Sequence, residues 1–244
     1  MNGRTTLIRY GNSEEAWRDV KDVIGAEIVK SKSIRILEVG AGANPLFPEE
    51  FLKEHGLIYT ALDISKEELN KAPDCYRKLV ADICSEVPTT TERYDFVFSR
   101  MLAEHVPDGE RFHRNVYQLL APGGLAFHFF PTMWAPPFVL NRFLPERLAE
   151  FLLHLLQPGR EKSGKHAKFP AFYSWCRGPV SSQIARLEGL GYEIESYVGF
   201  FGHRTYYRKL LPIQKLHDYL VRLLIAHPMP WVTSFAFLTV QRLR

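Results

Sequence analysis

Apolar positions change their rhythm several times along the chain. Residues 13–29 carry Trp17, Val20, Val23, Ile24 and Ile28 at helical spacing, with Asn12 or Ser13 available as a cap. Ile34 to Val39 is then a short β-branched run stopped by Gly40-Ala41-Gly42. After a helix-like stretch at 48–55, Leu57 to Leu62 forms a second apolar run closed by Asp63. Ser65-Lys66-Glu67-Glu68 has the form of a capping box and predicts another helix. Arg77 to Ala81, ended by Asp82, and Tyr94 to Phe98 read as the third and fourth strands. A helix over Asp108–Leu120 meets Pro122-Gly123-Gly124, and Leu125 to Phe130 follows as a fifth strand.

Short apolar strands alternating with helices argue for βαβ units and a parallel sheet. Strands covered on both faces should read as near-continuous apolar runs, and these do. After Pro131 the rhythm breaks into an aromatic and proline-rich stretch with a helix over 145–156, marked by Leu148, Leu152, Leu155 and Leu156. A helix over 180–190 and a strand over Tyr192–Gly199 come next. Ile213, Leu216, Leu220, Leu223 and Leu224 then mark a helix over 212–225, and Ser234 to Val240 is the last strand. The expectation is a Rossmann-like, doubly wound α/β sheet of seven strands whose last two make an antiparallel edge. It forms a single domain over 1–244, with its core at 13–130, 179–200 and 231–244 and insertions at 131–178 and 201–230.

Composition narrows the class. The chain has 244 residues, 46% of them hydrophobic and 24% charged, enough for a sizeable core and too apolar for a disordered chain. Lys and Arg number 31 against 27 Asp and Glu, and a net charge of +4 without a dense basic block does not point to nucleic acid. The 3 cysteines, Cys75, Cys84 and Cys176, form no CxxC pair. That argues against a disulfide framework or structural zinc and for a reducing, cytoplasmic setting. The N-terminus lacks the apolar core of a signal peptide. No run reaches the ~18 apolar residues of a spanning helix, so the sequence leaves open only contact with a membrane surface. It also leaves the oligomeric state open.

The chemistry gathers at strand ends. Glu38-Val39-Gly40-Ala41-Gly42-Ala43-Asn44 follows the first strand, where glycines let the backbone turn tightly and approach a ligand. Open α/β sheets bind ligands at the carboxyl ends of their strands. Pro45 stands where a dinucleotide fingerprint would place its third glycine, which argues against NAD or FAD. Asp63, about twenty residues on, can accept two hydrogen bonds from a ribose diol. Asp82-Ile83 can meet an adenine amino group. Each has a plainer alternative: a strand turn, a helix cap, a turn aspartate. Three in succession, each ending a strand, favour a nucleoside ligand.

The segments ILEVGAGANP, YTALDIS, VADIC, YDFVFSRMLAEHVPD and LLAPGGLAFHF resemble the successive motifs of class I S-adenosylmethionine (SAM) dependent methyltransferases. LxEHVxD and LxPGG are similar to those of the small-molecule branch, with its quinone- and sterol-type members. The resemblance covers about 34–130. It implies that Gly40 and Gly42 face the methionine part of SAM and that Glu38 anchors its charged end. Asp63, with Ile64 beside it, would hold the ribose, Asp82 and Ile83 the adenine. Ser99 would lie beside the sulfonium, and Met101 would border the acceptor. Asn44-Pro45 departs from the family's usual small residue.

A base is needed only where the acceptor must lose a proton. His105 and His128 are the candidates, with His166 and His203 further off. The alternatives are that His105 holds its loop, that His128 is a core histidine and that the other two lie at the surface. Phe130, Trp134 and Tyr173 are candidates to line an acceptor pocket with an apolar or ring-bearing occupant, or else to fill the core beneath the insertion. Arg142, Arg147, Arg160, Lys162, Lys165 and Lys168 make the insertion basic, by default a solvated face and otherwise a surface for an acidic substrate or an anionic membrane. Ser99-Arg100-Met101-Leu102 lacks the tetrad of nucleic-acid amino methyltransferases, no Pro-Cys occurs, and Glu104 alone does not make the paired glutamates of arginine methyltransferases. Methyl transfer from SAM to a small acceptor, preferably at oxygen, is the reading, with an inactive module working by protein or membrane-surface contact as the alternative.

Overall fold

The computed structural model describes residues 6–85, 90–133, 170–203 and 211–243. Its centre is an eight-stranded sheet in the order β1-β7-β8-β6-β5-β2-β3-β4. The strands are β1 (Leu7–Asn12), β2 (Arg35–Val39), β3 (Ile58–Asp63), β4 (Arg77–Val80), β5 (Tyr94–Arg100), β6 (Leu120–Pro131), β7 (Tyr192–Phe201) and β8 (Phe235–Arg242). The helices are α1 (Ser13–Ser31), α2 (Glu49–His55), α3 (Lys66–Lys71), α4 (Gly109–Leu119), α5 (Ser181–Gly189) and α6 (Leu211–Ala226). None of the described helices is long and apolar enough to cross a membrane.

Two expectations about the sheet are corrected. Among the described residues there are eight strands rather than seven, because Leu7–Asn12 adds an edge strand running parallel to β7. That strand has a glycine and an arginine within six residues and leaves Leu7 and Ile8 more than 40% exposed, so it gives no buried-strand pattern. Only β8 runs antiparallel, and it lies inside the sheet between β6 and β7. The Pro-Gly-Gly segment also lies within β6 rather than before it. Tyr94 pairs with Leu120 and Phe96 with Leu125, so residues 121–124 form a bulge opposite one step of β5.

Local signals account for most element ends. Asn12 is both the last residue of β1 and the N-cap of α1, where its side chain and that of Glu15 complete a reciprocal capping box. Ser65 Oγ accepts from Glu68 N at 3.2 Å and starts α3, while the Glu68 carboxylate pairs with Lys71 instead of closing the box. Asp108 caps α4 through Arg111 N.

Side-chain alternation divides the core in two. Ile36, Tyr59, Phe96, Phe98, Phe127 and Phe129 pack on one face beneath Val20, Ile24 and Ile28 of α1. Leu37, Val39, Val97, Ala126 and Phe130 pack on the other against Phe112 and Val116 of α4. Trp17 belongs to the α1 stripe but is half exposed, its ring edge-on to Phe129 and Phe235. On α6 only Val221 is buried, while Ile213, Leu216, Leu220 and Leu223 face outward. The expected helix over 145–156, Trp134, His166 and the basic residues from Arg142 to Lys168 lie outside the described residues.

Both described ends of the first insertion are pinned. Thr132 N donates to Ser234 O at 3.0 Å and Met133 N to Cys176 O at 2.9 Å. Gly109, first residue of α4, donates to Ser174 Oγ at 2.8 Å. A Cβ at Gly109 would collide with the Ser174 carbonyl oxygen and come within 2.7 Å of Trp175 Cβ. Gly109→Ala should therefore push the 170–178 loop off α4 and destabilise the fold by about 1–3 kcal/mol. A urea unfolding midpoint matching the parent would show that this packing is not what holds the loop.

Candidate functional site

The carboxyl ends of β2 and β5 are neighbours in the sheet, and the chain around them is heavily constrained. Gly40 and Gly42 take φ of 76° and 54°, a region costly for residues with a Cβ. Gly40 and Ala41 donate to Leu62 O at 2.8 and 3.1 Å, which lays the loop over the end of β3. A Cβ at Gly42 would meet only Asp63 Oδ2, at 3.8 Å, so the backbone there borders open space.

Glu38 sits at the root of this loop with 1% exposure. Its Oε2 accepts from Tyr59 OH at 2.5 Å and from Leu46 N at 2.9 Å, and its Oε1 accepts from Arg100 Nη2 at 2.9 Å. Burial and then the adjacent carboxylate hold the Tyr59 phenol well above its ordinary range, so it remains a donor. All three partners of Glu38 thus belong to the protein.

Asp63 ends β3 and accepts from Gly42 N and Ser65 N, both at 2.9 Å. Ile64 beside it is 70% exposed, an unusual setting for isoleucine. Asp82 is exposed and accepts from Cys84 N at 2.8 Å. Ile83 is buried, and its carbonyl accepts from Asn115 Nδ2 at 2.7 Å, with Ser85 O taking a second bond from the same amide at 2.9 Å. Asn115 on α4 therefore fixes the loop after β4.

Successive residues at the end of β5 go to different places. Ser99 has no exposure, and its Oγ lies 2.8 Å from His128 Nδ1. His128 is also fully buried, its ring against Phe112 and His113. Burial, reinforced by His113, pushes the His128 pKa well down, and burial alone brings His113 to about 3. Ser99 and His128 thus face the α4 core and not a crevice. Arg100 turns to the opposite face and reaches Glu38. Met101 follows with φ 51° and donates to Phe129 O at 2.8 Å. Phe130 is 1% exposed and fills the α4-side core. Trp134 lies outside the described residues.

The turn Ala103–His105 carries the other titratable cluster. Glu104 O accepts from Phe172 N at 2.7 Å and Tyr173 N at 3.0 Å. His105 Nδ1 lies 2.9 Å from Pro170 O. A carbonyl only accepts, so Nδ1 carries the proton and Nε2 is the basic nitrogen. Nε2 stands 3.7 Å from Glu104 Oε1. Glu104 itself is buried, and desolvation raises its carboxyl to about 7. Tyr173 and Trp175, with φ of 52° and 61°, show that the loop clasping this turn is held against backbone preference. His203 is buried rather than at the surface, which brings its pKa to about 3.

Residues 10–195 match a family model described as "Methyltransferase domain". The chain belongs to that family. It carries a methyltransferase domain. A ubiquinone biosynthesis O-methyltransferase of Coxiella burnetii is 32% identical over 156 residues, 59% of this chain and 62% of that protein. The match therefore spans less than two thirds of that relative's length. A SAM-dependent methyltransferase from Mesorhizobium loti shares the fold at TM-score 0.52 and 18% identity, covering 91% of this chain and 96% of that one. A phosphoethanolamine N-methyltransferase of Haemonchus contortus, solved in complex with SAM, does so at TM-score 0.51 and 16% identity, over 90% of this chain and 52% of that one.

Sequence reasoning underweighted Arg100, Glu104 and Tyr59 in this methyltransferase. A signal for Arg100 existed: it has the same parity on β5 as Phe98, whose register partner is Glu38. The buried Glu104 gives a test. Its folded-state pKa of about 7 exceeds the ordinary 4.5, so the folded protein keeps a proton that the unfolded chain releases between those values. Stability it contributes below pH 4.5 is lost as pH rises through 7, on the order of 3 kcal/mol at most. Glu104→Gln should match the parent near pH 4.5 and become progressively more stable than it toward pH 8. Urea midpoints measured across that range check this, and a pH-independent difference would refute the neutral carboxyl.

Proposed function

We propose that this methyltransferase methylates an oxygen of a small acceptor with an apolar or ring-bearing part, in the crevice over the carboxyl ends of β2 and β5. The observation that carries the reading is the Glu104–His105 turn: a histidine of fixed tautomer beside a buried carboxyl, next to the glycine loop. The name of the Coxiella relative, an O-methyltransferase of ubiquinone biosynthesis, supports oxygen and a ring-bearing acceptor. The contact-only alternative is the weaker reading, because the glycine loop, Asp63 and Asp82 all stand in place at the strand ends.

The residues present fit SAM. Gly42 offers open backbone, Asp63 a carboxylate at a strand end, Ile64 an exposed apolar face, and Asp82 a carboxylate on the next loop. In this reading Gly40 and Gly42 line the methionyl part, Asp63 takes the ribose hydroxyls, and Ile64, Asp82 and the Ile83 backbone flank the adenine. Glu38 anchors the loop from below, since its oxygens already have three protein donors. When bound, SAM supplies a methyl group on a positively charged sulfur, open to in-line displacement by oxygen.

The chain's own part is to place the acceptor and take its proton. His105 Nε2 receives the hydroxyl proton, and the Pro170 carbonyl holds the ring in the receptive tautomer. Glu104, 3.7 Å away, stabilises the imidazolium that results when it is ionised. His128 is not part of this step, because its ring is fully buried on Ser99. Met101 and Tyr173 border the acceptor, and the loop over 170–178 limits water at the turn. The chain acts as a single domain built on the one sheet.

Transfer of labelled methyl from SAM to a panel of phenols, catechols and carboxylic acids identifies the acceptor atom. His105→Ala should lose about 10²–10⁴ in kcat with SAM affinity retained; a loss under about tenfold rules His105 out as proton acceptor. Asp63→Ala should weaken SAM by about 1–3 kcal/mol in calorimetry. Unchanged affinity in the folded variant would remove Asp63 from the ribose site.

A further inference from the structure

We propose that Arg100 is the carboxylate-receiving group of this crevice, an assignment that rests on the methyl-transfer site described above. Arg100 closes β5 at the same level as the glycine loop after β2, and its guanidinium lies on the face shared with Glu38 and Tyr59. A guanidinium has five N–H donors in a fixed plane. The structure engages one nitrogen, Nη2, with Glu38. Nε is buried and makes no hydrogen bond.

Unmade bonds at a buried charged donor are costly, and such donors in native structures point to a missing partner. Glu38 does not supply it. That carboxylate already accepts from Tyr59 OH and Leu46 N as well as from Arg100. Accessibility divides the pair unequally. The Glu38 side chain is 2% exposed and that of Arg100 30%, so only the cationic member of the ion pair is open to a ligand. The positive φ of Met101, locked by its bond to Phe129 O, fixes the chain immediately after Arg100. A pre-positioned planar cation with unused donors suits a carboxylate better than a hydroxyl or an amine, because the two oxygens match the fork.

Two carboxylates could occupy this place: that of the methionyl end of the methyl donor, or one carried by the acceptor. Calorimetry on the whole chain separates them. The parent and Arg100→Met are titrated with S-adenosylhomocysteine and with its decarboxylated analogue. The same two proteins, loaded with S-adenosylhomocysteine, are then titrated with 3,4-dihydroxybenzoate and with catechol. If the donor's carboxylate binds Arg100, the variant loses tenfold or more for S-adenosylhomocysteine and nothing for the decarboxylated analogue. If the acceptor's carboxylate binds it, cofactor affinity is kept. The parent then prefers dihydroxybenzoate over catechol by tenfold or more, and the variant loses that preference.

Removing Arg100 leaves Glu38 buried without its cation, so two further variants keep the test decisive. Arg100→Lys retains the charge and discards the fork, and Glu38→Gln combined with Arg100→Met removes the pair together. Both should show the same selective loss as Arg100→Met. If no variant differs from the parent toward any of the four probes, Arg100 serves only Glu38 and the proposal is overturned. A parent that binds no S-adenosylhomocysteine would instead overturn the site reading itself.

Discussion

Burying an ionised carboxylate costs several kcal/mol unless donors surround it. Glu38, at 1% exposure, meets that condition with three donors drawn from three places: the loop at Leu46, β3 at Tyr59 and β5 at Arg100. The requirement is mutual. Because Glu38 is buried, the loop after β2 must fold back far enough to present the Leu46 amide, which shapes the path of Gly40 and Gly42. Tyr76 OH reinforces that path by donating to Phe47 O at 2.8 Å. The glycines supply conformational freedom, and the buried carboxylate removes it again. What results is a backbone turn that borders open space at Gly42, at the carboxyl end of a parallel strand, where such folds collect ligands.

The second half of the crevice is built from distant chain. Residues 170–176 return to the Ala103–His105 turn and to the start of α4 through hydrogen bonds from Phe172 and Tyr173 to Glu104 O, from His105 to Pro170 O and from Gly109 to Ser174. The turn they hold includes the buried Glu104, whose carboxyl is raised by desolvation. Two positive-φ residues, Tyr173 and Trp175, absorb the strain, and the ring of Trp175 is held near His113 and beneath the Arg186 guanidinium.

These two halves explain what the sequence made legible. The cofactor side consists of short segments in which strand, turn residue and acidic end lie within ten positions, so periodicity and glycine spacing reveal them. β2 to β6, the caps at Asn12 and Ser65 and the order of the strand ends were all readable for that reason. Edge strand β1 was not, because a strand paired on one side and exposed on the other needs no apolar run. The bulge at Pro122-Gly123-Gly124 looked like a boundary because those residues end elements more often than they interrupt them. His128 illustrates a different limit. Its place on β6 was clear, but only the packing of α4 shows that the ring is sealed between Phe112 and His113. Glu104 was hidden for the converse reason, since a carboxylate beside a histidine reads as solvated until residues from 170 onward cover it.

The end of β5 sends consecutive side chains into different surroundings without altering the frame of the sheet. Strand alternation sends Ser99 to the α4 face and Arg100 to the α1 face, and the positive φ of Met101 then breaks the alternation. Three consecutive residues thus enter a sealed core, an ion pair and the crevice border. The first is constrained by packing and the second by the charge of Glu38. The third is held by its positive φ and by packing of its side chain against the α1-side core. In the proposed reading, Met101 and the covering loop meet the acceptor, while the glycine loop and Asp63 answer to the cofactor.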